Sequence, residues 1–460
     1  MVDPAPRAAS PALLRLFQLA WPIVLARASQ SVIGFCDALM TAPLGEGPLA
    51  AVTTGSLNAF LAIIFPTGTV FILQSFAAQL RGRGEMAAVR RYAWYGLGLA
   101  VLAQLLALAI VPLLPRLLGA LTYDAEMRGQ MQTYLAIRLL SVGPAVATEA
   151  LGNWYGGLGN TRLAMVAGVT AMVANVLGCY LLIEPRAGLP GYGVAGAAWA
   201  SVIATCLGLV TIAVPFARGW GAPPKPERFQ LVGREFWRVI RFGVPNGVNW
   251  FLEFAAFIVF IDVMVAHLGT TALAAFNVVM QLNSVAFMPA FGLASAGAIL
   301  VGESIGRREL GEVRRFVRLT LTTAAVWMAS IGVLYFSMPE PLMRIFAHPG
   351  PRLQEFLAMG ALMLSFSAFW QLFDAVGITL SESLRAAGDT TWCMIVRVLL
   401  AWCVFIPGAW YFILQRGGGV TAVMSMMVSY ILLLASCLAL RFWSGKWQNI
   451  DLIGEPQLLA

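Results

Sequence analysis

The sequence predicts an all-α polytopic membrane protein, with twelve transmembrane helices in two six-helix lobes related by a parallel internal repeat. Three observations carry that expectation. Of 460 residues, 59% are apolar and 11% charged, with a mean hydropathy of +0.79, whereas an ordinary soluble domain is about a quarter charged. Twelve apolar stretches each approach the roughly 20 residues that a helix needs to cross a hydrocarbon core about 30 Å thick. Short motifs of the first half also return in the second at a nearly constant offset. A cytosolic enzyme or a nucleic-acid-binding protein would need far more charge to cover its surface, so both are excluded.

In chain order the stretches fall near 16–41, 48–72, 93–114, 131–152, 163–184, 194–216, 244–266, 273–297, 317–338, 356–379, 394–414 and 419–440. None alternates polar with apolar residues, which removes a β-barrel. If the N-terminus is cytoplasmic, inner segments collect 22 of the 30 Lys and Arg, among them Arg90, Arg91, Arg314, Arg315 and Arg397. Outer segments hold six, and Arg27 and Arg138 fall within spans. That asymmetry predicts an inner (plasma) membrane protein with both termini cytoplasmic, and it makes the net charge of +8 a matter of topology. The opening MVDPAPRAASPALLRLF has no cleavage signature, so no removal of a leader is expected.

The longest hydrophilic stretch, RGWGAPPKPERFQLVGREFWRVIR, reads as a cytoplasmic linker at 217–241 containing an interfacial helix. It separates a first lobe, 1–216, from a second, 242–460, which ends in a short cytoplasmic tail. In the first lobe LGEGPLAAV at 44–52 precedes RGRGEMAAVRRY at 81–92; in the second, LGTTALAAF at 268–276 precedes IGRRELGEVRRF at 305–316, an offset of 224 in both cases. GLGNTR at 157–162 answers AAGDTT at 386–391 at an offset of 229. Six spans per lobe is an even number, so both lobes run in the same direction and are expected to leave a cleft between them.

Cys36, Cys179, Cys206, Cys393, Cys403 and Cys437 are scattered singly, and His267 and His348 lie between apolar stretches, without CxxC or HExxH spacing. They predict neither disulfides nor a structural metal. The informative residues are acids, because a charge at the centre of a lipid-facing helix costs roughly 2.5–3.5 kcal/mol even on a lenient scale. Asp37 in span 1, Glu253 and Asp262 in span 7 and Asp374 in span 10 have no basic neighbour in their own helix. Asp37, Glu253 and Asp374 are therefore candidates for reversible protonation or for binding a cation, the alternative being a carboxyl hydrogen-bonded silently between helices. Asp262 is half a turn out of phase with Glu253, toward the outer end, and Glu149 near the end of span 4 is expected to be solvated.

Spacing groups further candidates. Asn246, Asn249, Trp250, Glu253 and Phe257 share one helical face, as do Asn277, Gln281, Ser284 and Met288. Trp370 lies one turn before Asp374, an arrangement able to hold an organic cation. The amides serve equally as polar glue between helices. Pro22, Pro66, Pro144, Pro245 and Pro289 interrupt helices, and Pro22 and Pro245 occupy nearly matching places early in each lobe, either to bend or as static kinks.

These residues resemble a known family, the multidrug and toxic compound extrusion (MATE) transporters, over essentially the whole chain. The carriers are Asp37 followed by LGEGPLAA, FGVPNGVNWFLEFAAF with Glu253, HLGTTALAAFNVVMQLNSVAFMPAFGLASAGAILVGESIG, and WQLFDAVGITLSESLRAAGDT with Asp374. The resemblance implies that Asp37 is an N-lobe coupling residue. It also implies that Glu253 and Asp374 form the C-lobe acidic site of the NorM-like branch, which couples to Na⁺ or H⁺ and binds cationic drugs. Where proton-coupled relatives carry an aspartate four residues after an asparagine in span 5, this chain has Asn175 and then Cys179, so Asn175 can at most hydrogen-bond to Asp37. Ala42 stands where glycine is usual.

The reading that results is a secondary antiporter, not an enzyme, exporting organic, cationic compounds by alternating access in exchange for Na⁺ or H⁺. Na⁺ would sit at Glu253 and Asp374, while Asn175, Asn249, Trp250, Asn277, Gln281 and Trp370 would line the cleft. No cofactor beyond the coupling ion and no nucleic acid is expected, and nucleotide hydrolysis is not implied because a GxxxxGK[ST] loop is absent. The protein is expected to work as a monomer in membrane lipid. The rivals are a lipid-linked oligosaccharide flippase of the same superfamily, which would line its cleft with cations, and a polytopic membrane enzyme.

Overall fold

A computed structural model describes residues 12–119, 124–186, 190–221, 223, 230–347 and 350–454. Arg7, Lys225, Arg228 and His348, which entered the sequence reading, lie outside the described residues. Among these residues the chain is helical, and twelve helices are long and apolar enough to cross a membrane. They are α1 Ala12–Leu44, α2 Glu46–Arg83, α3 Met86–Gly119, α4 Ala125–Gly157, α5 Arg162–Leu182, α6 Gly193–Arg218, α7 Gly233–Val265, α8 Thr270–Gly306, α9 Leu310–Ser337, α10 Leu353–Ala387, α11 Thr390–Gln415 and α12 Val420–Trp443. Each contains one of the apolar stretches, and several run on into the flanking charged residues.

The repeat is written in the backbone. Gly45 (φ 107°, ψ 174°) precedes α2 and Gly269 (φ 98°, ψ 168°), 224 residues later, precedes α8. That region is closed to a side chain, which explains why glycine stands in both copies of the motif. After α2 and α8 the chain turns in the same way: the Glu85 amide bonds to the Leu80 carbonyl at 3.0 Å and the Glu309 amide to the Ser304 carbonyl at 2.9 Å. The left-handed residue of the first turn is Gly84 (φ 79°), but that of the second is Arg308 (φ 62°). A left-handed conformation costs a non-glycine residue roughly 1–2 kcal/mol, part of which glycine returns through its freer unfolded chain. Arg308→Gly is thus expected to raise unfolding stability by about 0.5–1 kcal/mol, read from thermal melts in neutral detergent without anionic lipid.

Contacts divide the chain into two units, one comprising Met1–Trp21 with Asn249–Leu452, the other Pro22–Val248 with Ile453–Ala460. The divisions fall inside α1 and α7, so the first part of each helix groups with the other half of the sequence. They lie beside Pro22 and three residues after Pro245. The expected interfacial helix is not separate. The helix that starts at Gly233 continues to Val259 with Pro245 inside it, so GREFWRVIRF and the apolar stretch that follows form one helix.

Within the unit holding residues 22–248, the start of α7 is fixed by charge and by close backbone approach. Arg91 makes a forked pair with Glu235 at 2.8 and 2.6 Å, and the Tyr95 hydroxyl donates to the same carboxylate at 2.8 Å. Further along, Asn246 donates to the Gly68 carbonyl at 2.6 Å. A Cβ on Gly247 would lie 2.3 Å from Thr69 Oγ1 and 2.5 Å from the Phe65 carbonyl oxygen, so only glycine lets α7 and α2 pack this tightly. The unit holding residues 249–452 has an aromatic and methionine core that includes Phe260, Phe276, Met363, Trp370, Phe405 and Met424.

Candidate functional site

Each unit contains a carboxylate site in its membrane-crossing helices. In the first, α1 presents Asp37, buried at 6% exposure, toward α5 and α6. Asn175 Nδ2 donates to Asp37 Oδ1 at 3.0 Å, the Cys179 thiol to the same oxygen at 3.2 Å, and the Ser201 hydroxyl to Oδ2 at 3.1 Å. Asn175 and Cys179 are four apart and so stack on one face of α5. Every donor is neutral. Asn175 Oδ1 has no hydrogen-bond partner among the described residues although its residue is fully buried. The hydrogen bond from Asn175 to Asp37 is the one that their places in spans 5 and 1 allow.

Nearby in the same unit, Arg27 forks onto Glu149 at 2.6 and 3.3 Å, and Asn153 donates to Glu149 at 2.8 Å. The expectation that Glu149 is solvated is corrected. Both charges are largely shielded, and α1 brings the guanidinium of Arg27 to an acid 122 residues away that sequence alone does not pair.

In the other unit α7 presents Glu253. Its Oε2 accepts from Arg397 of α11 at 2.6 Å, and its Oε1 accepts from the Tyr430 hydroxyl of α12 at 3.3 Å. Arg397 also donates to the Ser381 hydroxyl of α10 at 3.2 Å. Two expectations are corrected here. Arg397 is not a loop cation, because α11 begins at Thr390 and carries it inside the crossing helix. Glu253 is not unpaired, since two ions removed from water cost less together than apart.

Asp374 of α10 lies within the electrostatic reach of both Glu253 and Arg397. It is half-buried and has no hydrogen-bond or ion-pair partner among the described residues. Trp370 is 4% exposed and packs in the apolar core beside residues such as Phe405 rather than forming an open aromatic face. Four residues make slightly more than one turn, and that rotation leaves Asp374 half-buried while the indole is enclosed.

The amide stripes separate likewise. Asn249 is buried with its Oδ1 unpartnered among the described residues, Trp250 is half-buried, and Asn277 and Gln281 are exposed. Asn246 belongs to the other unit and bonds to Gly68. Asp262 is exposed and sits in a π-helical segment, Phe260–Val265, just beyond Glu253. The helix bearing Arg397 has two such segments, Leu400–Phe405 and Trp410–Gln415. Wide turns of this kind tend to gather at functional positions. Among the described residues no three His, Cys, Asp or Glu come close enough to hold a metal ion by themselves.

The family model MatE matches this chain twice, over residues 22–181 and 245–411. The chain belongs to the MatE family. One match per half also fits the repeat seen in the backbone of this MatE chain. Among its relatives are proteins named "Probable multidrug resistance protein NorM". That of Rhizobium meliloti (strain 1021) is 28% identical over 432 residues, covering 92% of this chain and 90% of the relative. That of Neisseria meningitidis serogroup A is 29% identical over 442 residues, covering 92% and 93%. Solved structures share the fold. A crystal structure of MATE in complex with MaL6 superposes with a TM-score of 0.87 at 17% identity, covering 96% of this chain and 98% of that one. A MOP superfamily transporter from Pyrococcus furiosus Vc1 superposes at 0.86 and 16% identity, with the same coverage.

Four members of the two MatE carboxylate sites escape sequence reasoning. Ser201, Ser381 and Tyr430 are ordinary residues of apolar helices and carry no signal at all. Arg397 could have been found: it is a cation three residues inside a stretch read as starting at 394. Gln371 is a further case, fully buried and donating to Asn283 at 2.6 Å.

Proposed function

We propose that this MatE protein is a secondary active antiporter that exports organic, cationic compounds across the inner membrane in exchange for Na⁺ or H⁺, by alternating access. The observation that carries the reading is Asp374, a carboxylate in a crossing helix without a hydrogen-bond or ion-pair partner among the described residues, within electrostatic reach of the Glu253–Arg397 pair. Two acids and one guanidinium leave a single net negative charge, which one proton, one Na⁺ or one monovalent drug cation would neutralise. Such a charge is costly in a membrane unless a mobile cation visits it. Arg397 already supplies a cation to Glu253, so Asp374 is the acid that first receives an incoming ion, and any ligand reaching Glu253 must displace the guanidinium. Drug and coupling ion then exclude one another, and antiport follows if each favours a different orientation of the transporter. Asp37, held by neutral donors only, is the corresponding candidate in the other unit.

The test is flux of an organic cation in proteoliposomes under separately imposed Na⁺ and pH gradients. Glu253→Gln and Asp374→Asn are expected to reduce uphill export to the level of protein-free vesicles, with the gradient that drives the parent identifying the coupling ion. Parent-rate uphill export by both variants would remove the coupling role from this site. Movement of anionic lipid-linked sugars alone would favour a flippase.

A further inference from the structure

The motif shared by the two halves is used differently in each. In the first half, RGRGEMAAVRRY turns Arg90 and Arg91 inward. Arg90 donates to the carbonyls of Phe216 and Pro223 at 3.1 and 3.2 Å, and Arg91 grips Glu235. In the second half, IGRRELGEVRRF places Arg314 and Arg315 at the equivalent positions, and both are exposed. One turn later the first half has Trp94, an exposed aromatic of the kind that marks a membrane interface, where the second half has exposed Arg318.

Positive charge here is not cancelled. Glu303 is bound by Arg15 and Arg307, Glu309 by Arg307, and Glu312 by Arg315. Arg308, Arg314 and Arg318 have no side-chain hydrogen bond or ion pair among the described residues. Arg308 moreover keeps its left-handed backbone where the first half uses glycine, a strain that is retained when the side chain has work to do.

Depth identifies the environment. Residues 319–337 of α9 contain no charged side chain, and at 1.5 Å per residue they span about 28 Å, close to the hydrocarbon thickness. Residues 310–318 therefore extend into the headgroup layer. The exposed residues Arg315, Arg318, Thr322, Val326, Ser330 and Val333 recur every three or four positions and form one continuous stripe. Thr322 and Ser330 turn their hydroxyls back onto carbonyls of their own helix, at 3.0 and 2.7 Å, so beyond Arg318 the stripe presents an apolar surface.

We propose that Arg308, Arg314 and Arg318 bind the phosphate of an anionic phospholipid headgroup, whose acyl chains lie along the exposed stripe of α9. Each arginine near an anionic surface contributes about fivefold in affinity. The experiment is native mass spectrometry of the full chain in neutral detergent, titrated with phosphatidylglycerol or with phosphatidylcholine of the same acyl chains. The parent is expected to prefer phosphatidylglycerol by at least about tenfold. Arg314→Gln with Arg318→Gln is expected to bring the two lipids to near-equal retention, while Arg344→Gln, at an exposed arginine elsewhere in the same unit, leaves the preference intact. Unchanged preference in the double variant overturns the proposal. So does an equal loss in Arg344→Gln, which would indicate net charge alone, or displacement of the lipid by an equal concentration of soluble glycerol 1-phosphate, which would indicate a site for free phosphate.

Discussion

Arg397→Leu is expected to lower the unfolding free energy by about 2–3 kcal/mol, and adding Glu253→Gln to it is expected to restore most of that loss. Removing one member of a buried ion pair leaves the other as an uncompensated charge and typically costs about 3–5 kcal/mol. Glu253 keeps 35% of its side chain accessible, so part of its charge is relieved by water and the expected cost falls below that range. Once the glutamate is also neutral, Asp374 alone of the three groups keeps its charge and Ser381 still loses a partner, so the recovery is large but incomplete. Unfolding in mixed micelles by a denaturing detergent, with all four members of the double-mutant cycle, reads the coupling directly. If the two single losses simply add in the double variant, Arg397 and Glu253 do not sustain one another.

Gly247→Ala is expected to be at least as damaging, at about 3 kcal/mol, the upper end of ordinary overpacking. The added methyl group would meet Thr69 Oγ1 at 2.3 Å, the Phe65 carbonyl oxygen at 2.5 Å and the Thr69 amide nitrogen at 3.1 Å. Two of these are backbone atoms of α2, which cannot swing aside as a side chain does. The matched control is Gly98→Ala in α3, where nothing lies within 4 Å of the new carbon. There alanine is expected to be neutral or to stabilise by up to about 1 kcal/mol through its better helix propensity. Similar melting temperatures for the two variants would show that close approach of α7 to α2 contributes little.

What was legible from sequence follows from what hydrocarbon demands. A crossing helix must be apolar for some twenty residues, so all twelve spans could be read, and turns closed to side chains require glycine, so the offset of 224 marked Gly45 and Gly269 before their backbone was seen. Asp37, Glu253 and Asp374 stood out because an acid in such a helix is rare. Their partners did not. Cys179 and Asn175 gave a partial signal through spacing on α5, but Ser201 and Tyr430 are unremarkable in composition and meet the acids only through helix packing. Arg397 escapes because a charge-counting rule assigns cations near a span end to the adjoining loop, whereas a half-buried acid 144 residues away pairs with it inside the helix.

The pairing of Arg15 with Glu303 joins residues 288 apart in sequence. During synthesis the opening turns of α1 are made long before the carboxylate they dock onto, which lies near the end of α8, the eighth of the twelve crossing helices. A nascent chain halted after α6 would therefore hold α1 with Arg15 still waiting for the acid that it pairs with.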